Sequence, residues 1–264
     1  MQDILERKQI KNIDFNIDLA QSFGIYKNNA EFDLLDYASS VNVSCGFHAG
    51  DPLTIRDALL KAKEKNVVVG AHIGFDDIQG FGYRAMELSD DELEALVVYQ
   101  VGALMSFAKA YNLEIEHVRP HGAMYKKASE DFHFATVIAR AIQKCSQWLT
   151  YCGASGEIIE KIGDYIKIPI SEEIIIEKQY NQELGIEYSL SDIADTEFCI
   201  KRLQTILHTS QVNNTSDGLT IANIDSIHFS NKYSNSLEVI QRANSLIAPE
   251  PVSYGRVKTS GWVD

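Results

Sequence analysis

Only four cysteines occur in these 264 residues, Cys45, Cys145, Cys152 and Cys199, and no two share a metal-binding or redox spacing. That argues against a disulfide scaffold or a thiolate zinc module. It leaves scattered thiols of a reducing compartment, so the cytoplasm is the expected location. Long apolar runs are missing as well: none approaches the roughly 20 residues of a membrane span. The opening MQDILERKQIKN is charged and lacks the apolar core of a signal peptide. Positive charge is in deficit, with 24 Lys and Arg against 37 Asp and Glu and a net charge of -13. Such a surface repels phosphate backbones, so nucleic acid is not expected as a partner, although a local basic pocket for a small anion is compatible with it. No repeat, low-complexity tract or linker divides the chain, and residues 1–264 read as one domain.

What the sequence does contain is alternation. Short β-branched runs (IDFNI from 13, VNVSC from 41, VVVGAH from 67, IEHVRP from 115, WLTYC from 148, YIKIPI from 165 and LTIANI from 219) are interleaved with helical patterns. The helices are expected near 53–65, 90–111, 131–145, 155–163, 192–208 and 236–247. Asp51-Pro52 reads as an N-cap with proline in the first turn, and Ser89 through Glu92 as a capping box. Strands alternating with helices predict an α/β fold with a parallel sheet. Seven strands favour a single closed (β/α) barrel, and no glycine-rich dinucleotide fingerprint follows the first strand to support a doubly wound sheet.

Polar residues collect just beyond these strands, the end where such a barrel places its site. Asn16 and Asp18 follow the first. Asn42, Cys45 and His48 follow the second, and His72 ends the third, before a loop with Asp77 and Arg84. Arg119, His121 and Tyr125 follow the fourth. Asp18, His48, His72 and His121 are therefore the catalytic candidates, converging on one mouth. Neutral imidazoles beside a carboxylate suit a divalent metal that activates water, with Asp18, His48 and His72 as ligands. A metal-free acid–base pair fits equally. Asn16, Asn42, Cys45, Asp77, Arg84, Arg119 and Tyr125 are candidates to hold substrate. Blander roles stand beside these: Asp51 as a helix cap, Cys45 as a packed thiol, Asp77 and Arg84 as a loop brace, and any one histidine as a buried structural residue.

Five segments in order carry a family resemblance. They are Asp14-Phe15-Asn16-Ile17-Asp18-Leu19 with Ser22-Phe23-Gly24; Val41-Asn42 with Cys45 through Pro52; Gly70-Ala71-His72 with Gly80-Phe81-Gly82, Arg84 and Met86; Tyr99-Gln100 with Gly102-Ala103-Leu104; and His117-Val118 with Pro120-His121-Gly122-Ala123 and Tyr125. Together they resemble the LamB/YcsF family. The resemblance implies a barrel related to the glycoside hydrolase/deacetylase superfamily. It also implies ATP-dependent opening of 5-oxoproline to glutamate, performed with separate B and C subunits on a small lactam. No P-loop is visible, so ATP is implied by the resemblance and not by these residues. The sequence departs from the family pattern at Ala20-Gln21 (usually Gly-Glu), Tyr83 (Arg), Lys126 (Asn), Glu177-Lys178 (an Asp-Arg pair) and Ser230-Asn231-Lys232 (His-Gly-Asp). Three readings follow: an active 5-oxoprolinase-type hydrolase, a non-catalytic binding or scaffold member, and a metal-dependent amide hydrolase or deacetylase acting on another substrate.

Overall fold

The computed structural model describes residues 12–27 and 29–251, so the charged N-terminal segment lies almost wholly outside the described residues. Seven parallel strands close into a barrel. In chain order they begin with β1 (Asp14–Leu19), β2 (Ser40–Ser44) and β3 (Val68–Ile73), with helix α1 (Pro52–Lys65) between the last two. Then come α2 (Asp90–Ala110), β4 (Ile115–Pro120), α3 (Gly122–Glu130), α4 (Phe132–Cys145), β5 (Thr150–Ala154), α5 (Glu157–Ile166) and β6 (Ile170–Ile175). The chain continues through α6 (Thr196–Thr209), a small antiparallel hairpin of β7 (Gln211–Asn213) and β8 (Leu219–Ile221), β9 (Ser226–His228) and α7 (Ser236–Leu246). β9 closes the ring by pairing with both β6 and β1.

Local chemistry sets the helix ends. Asp51 accepts from the Leu53 and Thr54 amides at the start of α1, and Asn66, in the left-handed region, ends it. At α2, Ser89 and Glu92 form the expected reciprocal capping box. α2 is long and apolar enough to cross a membrane by composition, yet Leu93, Val97, Val101, Leu104 and Ala108 are buried against the rest of the fold.

Two expectations need correction. The YIKIPI run is not a strand from 165: Tyr165 and Ile166 finish α5, Lys167 caps it in the left-handed region, and the strand starts at Ile170. The LTIANI run is not the seventh barrel strand. Its first residues form β8 in the outer hairpin, and the three-residue β9 takes the barrel position. α3 has no counterpart among the expected helices, because Gly122 through Glu130 directly follows the His121 loop.

The apolar core lies outside the barrel wall. Phe15, Ile17, Leu19, Val41, Val43, Val69, Ala71, Ile73, Val118, Ile174 and Ile227 pack against the helices, while the alternate residues of the same strands are polar and buried. The inward set is Asp14, Asn16, Asp18, Ser40, Asn42, Ser44, His72, His117, Arg119, Ser171, Glu173, Ser226 and His228. Their bonds cross the interior. His117 on β4 meets Asn42 on β2 at 2.8 Å, and Arg119 on β4 meets Glu173 on β6, in each case skipping a strand. The His117 ring fills the space over Gly70, where a Cβ would lie 2.2 Å from it; any side chain at Gly70 would force the ring out. Barrels of this general type usually fill the interior with branched apolar residues. Here a hydrogen-bonded ladder fills it, and each member must find its partners to offset desolvation.

Candidate functional site

The top of that ladder is the C-terminal mouth of the barrel. Asp18 sits at its base, near the end of β1. Its Oδ1 accepts from Asn42 Nδ2 at 2.9 Å and lies 3.3 Å from His72 Nε2; its Oδ2 lies 3.5 Å from His228 Nε2. Burial opposes ionisation of this carboxyl, but His72, His228 and Arg119 together outweigh burial and hold it well below the usual carboxylate range. Arg119 stands 3.7 Å from Asp18 and grips Glu173 through both Nε and the terminal nitrogen. Tyr125 donates to the same Glu173 at 3.0 Å.

Three histidines rise above Asp18. His72 contacts the Arg119 carbonyl through Nδ1 (3.1 Å) and His121 Nδ1 through Nε2 (3.0 Å). His121 reaches the Phe81 carbonyl with Nε2 at 2.8 Å. His48 stacks on His121, centroids 4.1 Å apart and planes 12° from parallel, with Nε2 3.1 Å from Ser44 Oγ. Burial, with His121 and His72 next, pushes the pKa of His48 well down. Burial followed by His72 lowers that of His121 to about 3. Burial and then Arg119 lower that of His228 to about 4. These three rings are thus neutral at physiological pH, with lone pairs for a proton or a metal. One nitrogen each from His48, His72 and His121 lie within 4.8 Å of one another, so the three could hold a metal ion.

The four catalytic candidates from the sequence therefore share one buried mouth. The candidate substrate ligands are mostly engaged with the protein itself. Asn16 and Asn42 bond to each other inside the barrel, beneath Asp18. Cys45 is buried, its thiol donates to the Val43 carbonyl, and burial pushes its pKa to about 12, so it stays protonated. Asp77 accepts from the Gly80 amide and from Arg84 Nε, and these hydrogen bonds hold its carboxyl at about 2. That pair braces the 77–84 loop. Ala20, at a position where the family has glycine, carries φ +59, a conformation that favours glycine. Gln21 beside it donates to Asp18 Oδ2 at 3.4 Å and from its backbone to the buried Glu31.

Three contributors are not among the sequence-based site candidates: His228, Glu173 and Lys232. Asn231 donates to the Asp18 carbonyl at 3.2 Å, and Lys232, next in the chain, lies over the Tyr83 ring, which packs on His121. A family model for LamB/YcsF matches residues 13–260. The chain belongs to the LamB/YcsF family. It is 32% identical over 243 residues to the 5-oxoprolinase A subunit of Clostridium beijerinckii, covering 91% of this chain and 95% of that one. It is 42% identical over 171 residues to the 5-oxoprolinase A subunit of Bacillus subtilis, a match covering 65% of this chain and 66% of that relative. The crystal structure of a lactam utilization protein from Thermus thermophilus superimposes with a TM-score of 0.84 at 32% identity, over 91% of this chain and 98% of that one. The family assignment and the closed barrel both agree with the sequence-based expectation.

Proposed function

We propose that this LamB/YcsF-family chain is the ring-opening component of a 5-oxoprolinase, adding water across the lactam bond of 5-oxoproline to give glutamate. The reading is supported by the relatives' names and by one observation: an ionised Asp18 at the base of a mouth that also holds the neutral imidazoles of His48, His121 and His228. Water attacks the lactam carbonyl carbon, and its proton passes to His228, whose Nε2 faces Asp18 Oδ2. Asp18 stays ionised and stabilises the imidazolium that forms beside it. As the C–N bond breaks, the same proton is available to the departing ring nitrogen. His72 and His121 complete the polar floor, and His48 supports the His121 ring from behind.

Lys232 is the candidate anchor for the substrate carboxylate. Arg84 and Arg119 are already gripped by Asp77 and Glu173, whereas the Lys232 side chain is 47% exposed and 3.5 Å from Asp192. In this proposal ATP is consumed with the separate B and C subunits, as the family resemblance implies; the sequence carries no P-loop motif. The test is reconstitution with cognate B and C subunits and measurement of glutamate release from 5-oxoproline. Turnover is expected only with all three components and should fall about 10²–10⁴-fold in His228→Gln. Robust turnover by the isolated chain would remove the need for partners. No turnover with all three would favour the non-catalytic reading.

A further inference from the structure

Beneath the mouth, two side-chain amides lie head to tail. Asn42 donates from Nδ2 to Asn16 Oδ1, and Asn16 donates from Nδ2 to Asn42 Oδ1 at 3.2 Å. Such a pair is equally satisfied if both amides turn over together, so groups outside it must choose the direction. Two carboxylates choose. Asp18, ionised, can only accept, and it takes a 2.9 Å hydrogen bond from Asn42 Nδ2. At the other end Ser40 gives its single hydroxyl proton to Asp14 at 2.7 Å, so it can only accept from Asn16 Nδ2, also 2.7 Å away. Turned over, the pair would set the Asn42 carbonyl oxygen against the Asp18 carboxylate and the Asn16 carbonyl oxygen against the Ser40 lone pairs, leaving buried acceptors face to face.

The chosen direction reaches two histidines. Asn42 Oδ1 faces His117 Nε2 at 2.8 Å, and Asn16 Oδ1 faces His228 Nδ1 at 3.0 Å. Both oxygens accept, so both of those nitrogens carry protons. Burial lowers the pKa of His117 to about 3 and that of His228 to about 4, and a neutral imidazole has one N–H only. We propose that Asn16 and Asn42 are positioning residues: an amide lock, set by Asp14 and Asp18, that holds His117 as the Nε2–H tautomer and His228 as the Nδ1–H tautomer. His228 Nε2 is thereby left as a bare lone pair beside Asp18 Oδ2, 3.5 Å away. Without the lock that carboxylate would draw the imidazole proton onto Nε2, and the lone pair would face Asn16 instead of the mouth. The two asparagines, candidate substrate ligands by sequence, thus act one step removed from substrate.

The inference rests on the lactam reading only for the part His228 plays as a base. The test is long-range ¹H–¹⁵N NMR of the ¹⁵N-histidine-labelled chain at neutral pH, where protonated and bare ring nitrogens resonate far apart. The two rings are assigned by the signals lost in His117→Gln and His228→Gln. Opposite tautomers are expected, Nε2–H for His117 and Nδ1–H for His228. Asn16→Leu, close in size but unable to accept, should move the His228 proton to Nε2. In the enzyme reconstituted with its partner subunits the same change should lower kcat about 10²–10⁴-fold with KM little altered, the signature of a wrong tautomer. The wild-type spectrum decides even where a variant fails to fold: a His228 protonated on Nε2, or on both nitrogens, overturns the lock. An Nδ1–H His228 that persists in folded Asn16→Leu overturns it too. The expected spectra without glutamate release from the reconstituted enzyme would remove the lactam reading and leave the lock standing.

Discussion

On the side of the mouth built by β2, β3 and β4, His48, His72 and His121 are buried, and the hydrogen-bond partners of His72 and His121 fix which nitrogen faces inward. On the side built by the loops after β6 and β9, Lys178 and Lys232 share Asp192 at 2.6 and 3.5 Å, and their side chains are 20% and 47% exposed. Lys126 and Lys178 both lie over the Tyr188 ring. The three histidines of the first side lie in segments that resemble the family pattern. The second side gathers most of the departures from it. Tyr83 meets Lys232, Glu177 meets Ser230, and Lys126 and Lys178 share Tyr188, whereas Ala20-Gln21 lies apart beside Asp18. On the proposed reading, the histidine side carries the chemistry and the lysine side receives the substrate carboxylate.

Four changes would break or sharpen this contrast. The largest effect is expected from Asp18→Asn, which removes the charge that stabilises His228 and should lower turnover about 10²–10⁴-fold with KM little altered. A KM-only effect would place Asp18 with the anchors. Arg119→Met strands Glu173 in the barrel without its cation and should cost about 3–5 kcal/mol by denaturant unfolding; a loss under about 1 kcal/mol would mean the pair is dispensable.

Glu177, beneath the lysine side, gives a pH signal. Burial lifts its carboxyl from 4.5 to about 7, against the pull of the Ser230 amide. Between those values the unfolded chain releases a proton that the folded chain keeps. Stability from this group is therefore full below 4.5 and lost as pH rises through about 7, on the order of 3 kcal/mol at most. Glu177→Gln should flatten that slope in melts between about pH 5 and 8, with Glu31 and Glu172, both raised to about 7 by burial, supplying the remainder. An unchanged slope would show that Glu177 does not carry the proton. The smallest effect is expected from Lys232→Ala: KM for the lactam up about tenfold, near 1.4 kcal/mol, with kcat nearly intact. A fall in kcat alone would move Lys232 out of the anchoring role.

The legibility of the sequence divides along the same line. β1 through β5 are readable because β-branched runs alternate cleanly and end in polar residues, and the Asp18, His48, His72 and His121 cluster follows from position alone. β9 is hidden. Its three residues, Ser226-Ile227-His228, are too short to announce a strand, while LTIANI nearby carries the stronger β-branched signal and forms the outer hairpin instead. With β9 misplaced, His228 has no strand end to belong to, although the inward–outward alternation of SIH is there to be read. Glu172-Glu173 looks like solvated surface in sequence. Only the pairing of β6 across the ring turns Glu173 inward to meet Arg119. The Asp77–Arg84 brace is local and readable, whereas the engagement of Arg119 by Glu173, 54 positions away, is a tertiary fact that no spacing encodes.

The ring closes where β9 lies beside β1, and the Ser226–Asp14 and His228–Asn16 bonds each span 212 positions of chain. During synthesis, a polypeptide that has emerged only through β6 already owns Asp18 and the three upper histidines, yet it lacks His228 and Asn231. Its polar interior is then open on one edge, with Asp14 and Asn16 short of the groups that later satisfy them. Such distant pairing makes closure a late and slow event in folding. A half-made barrel of this kind exposes strand edges and hydrated carboxylates, so proteolysis or aggregation before closure competes directly with assembly of the mouth.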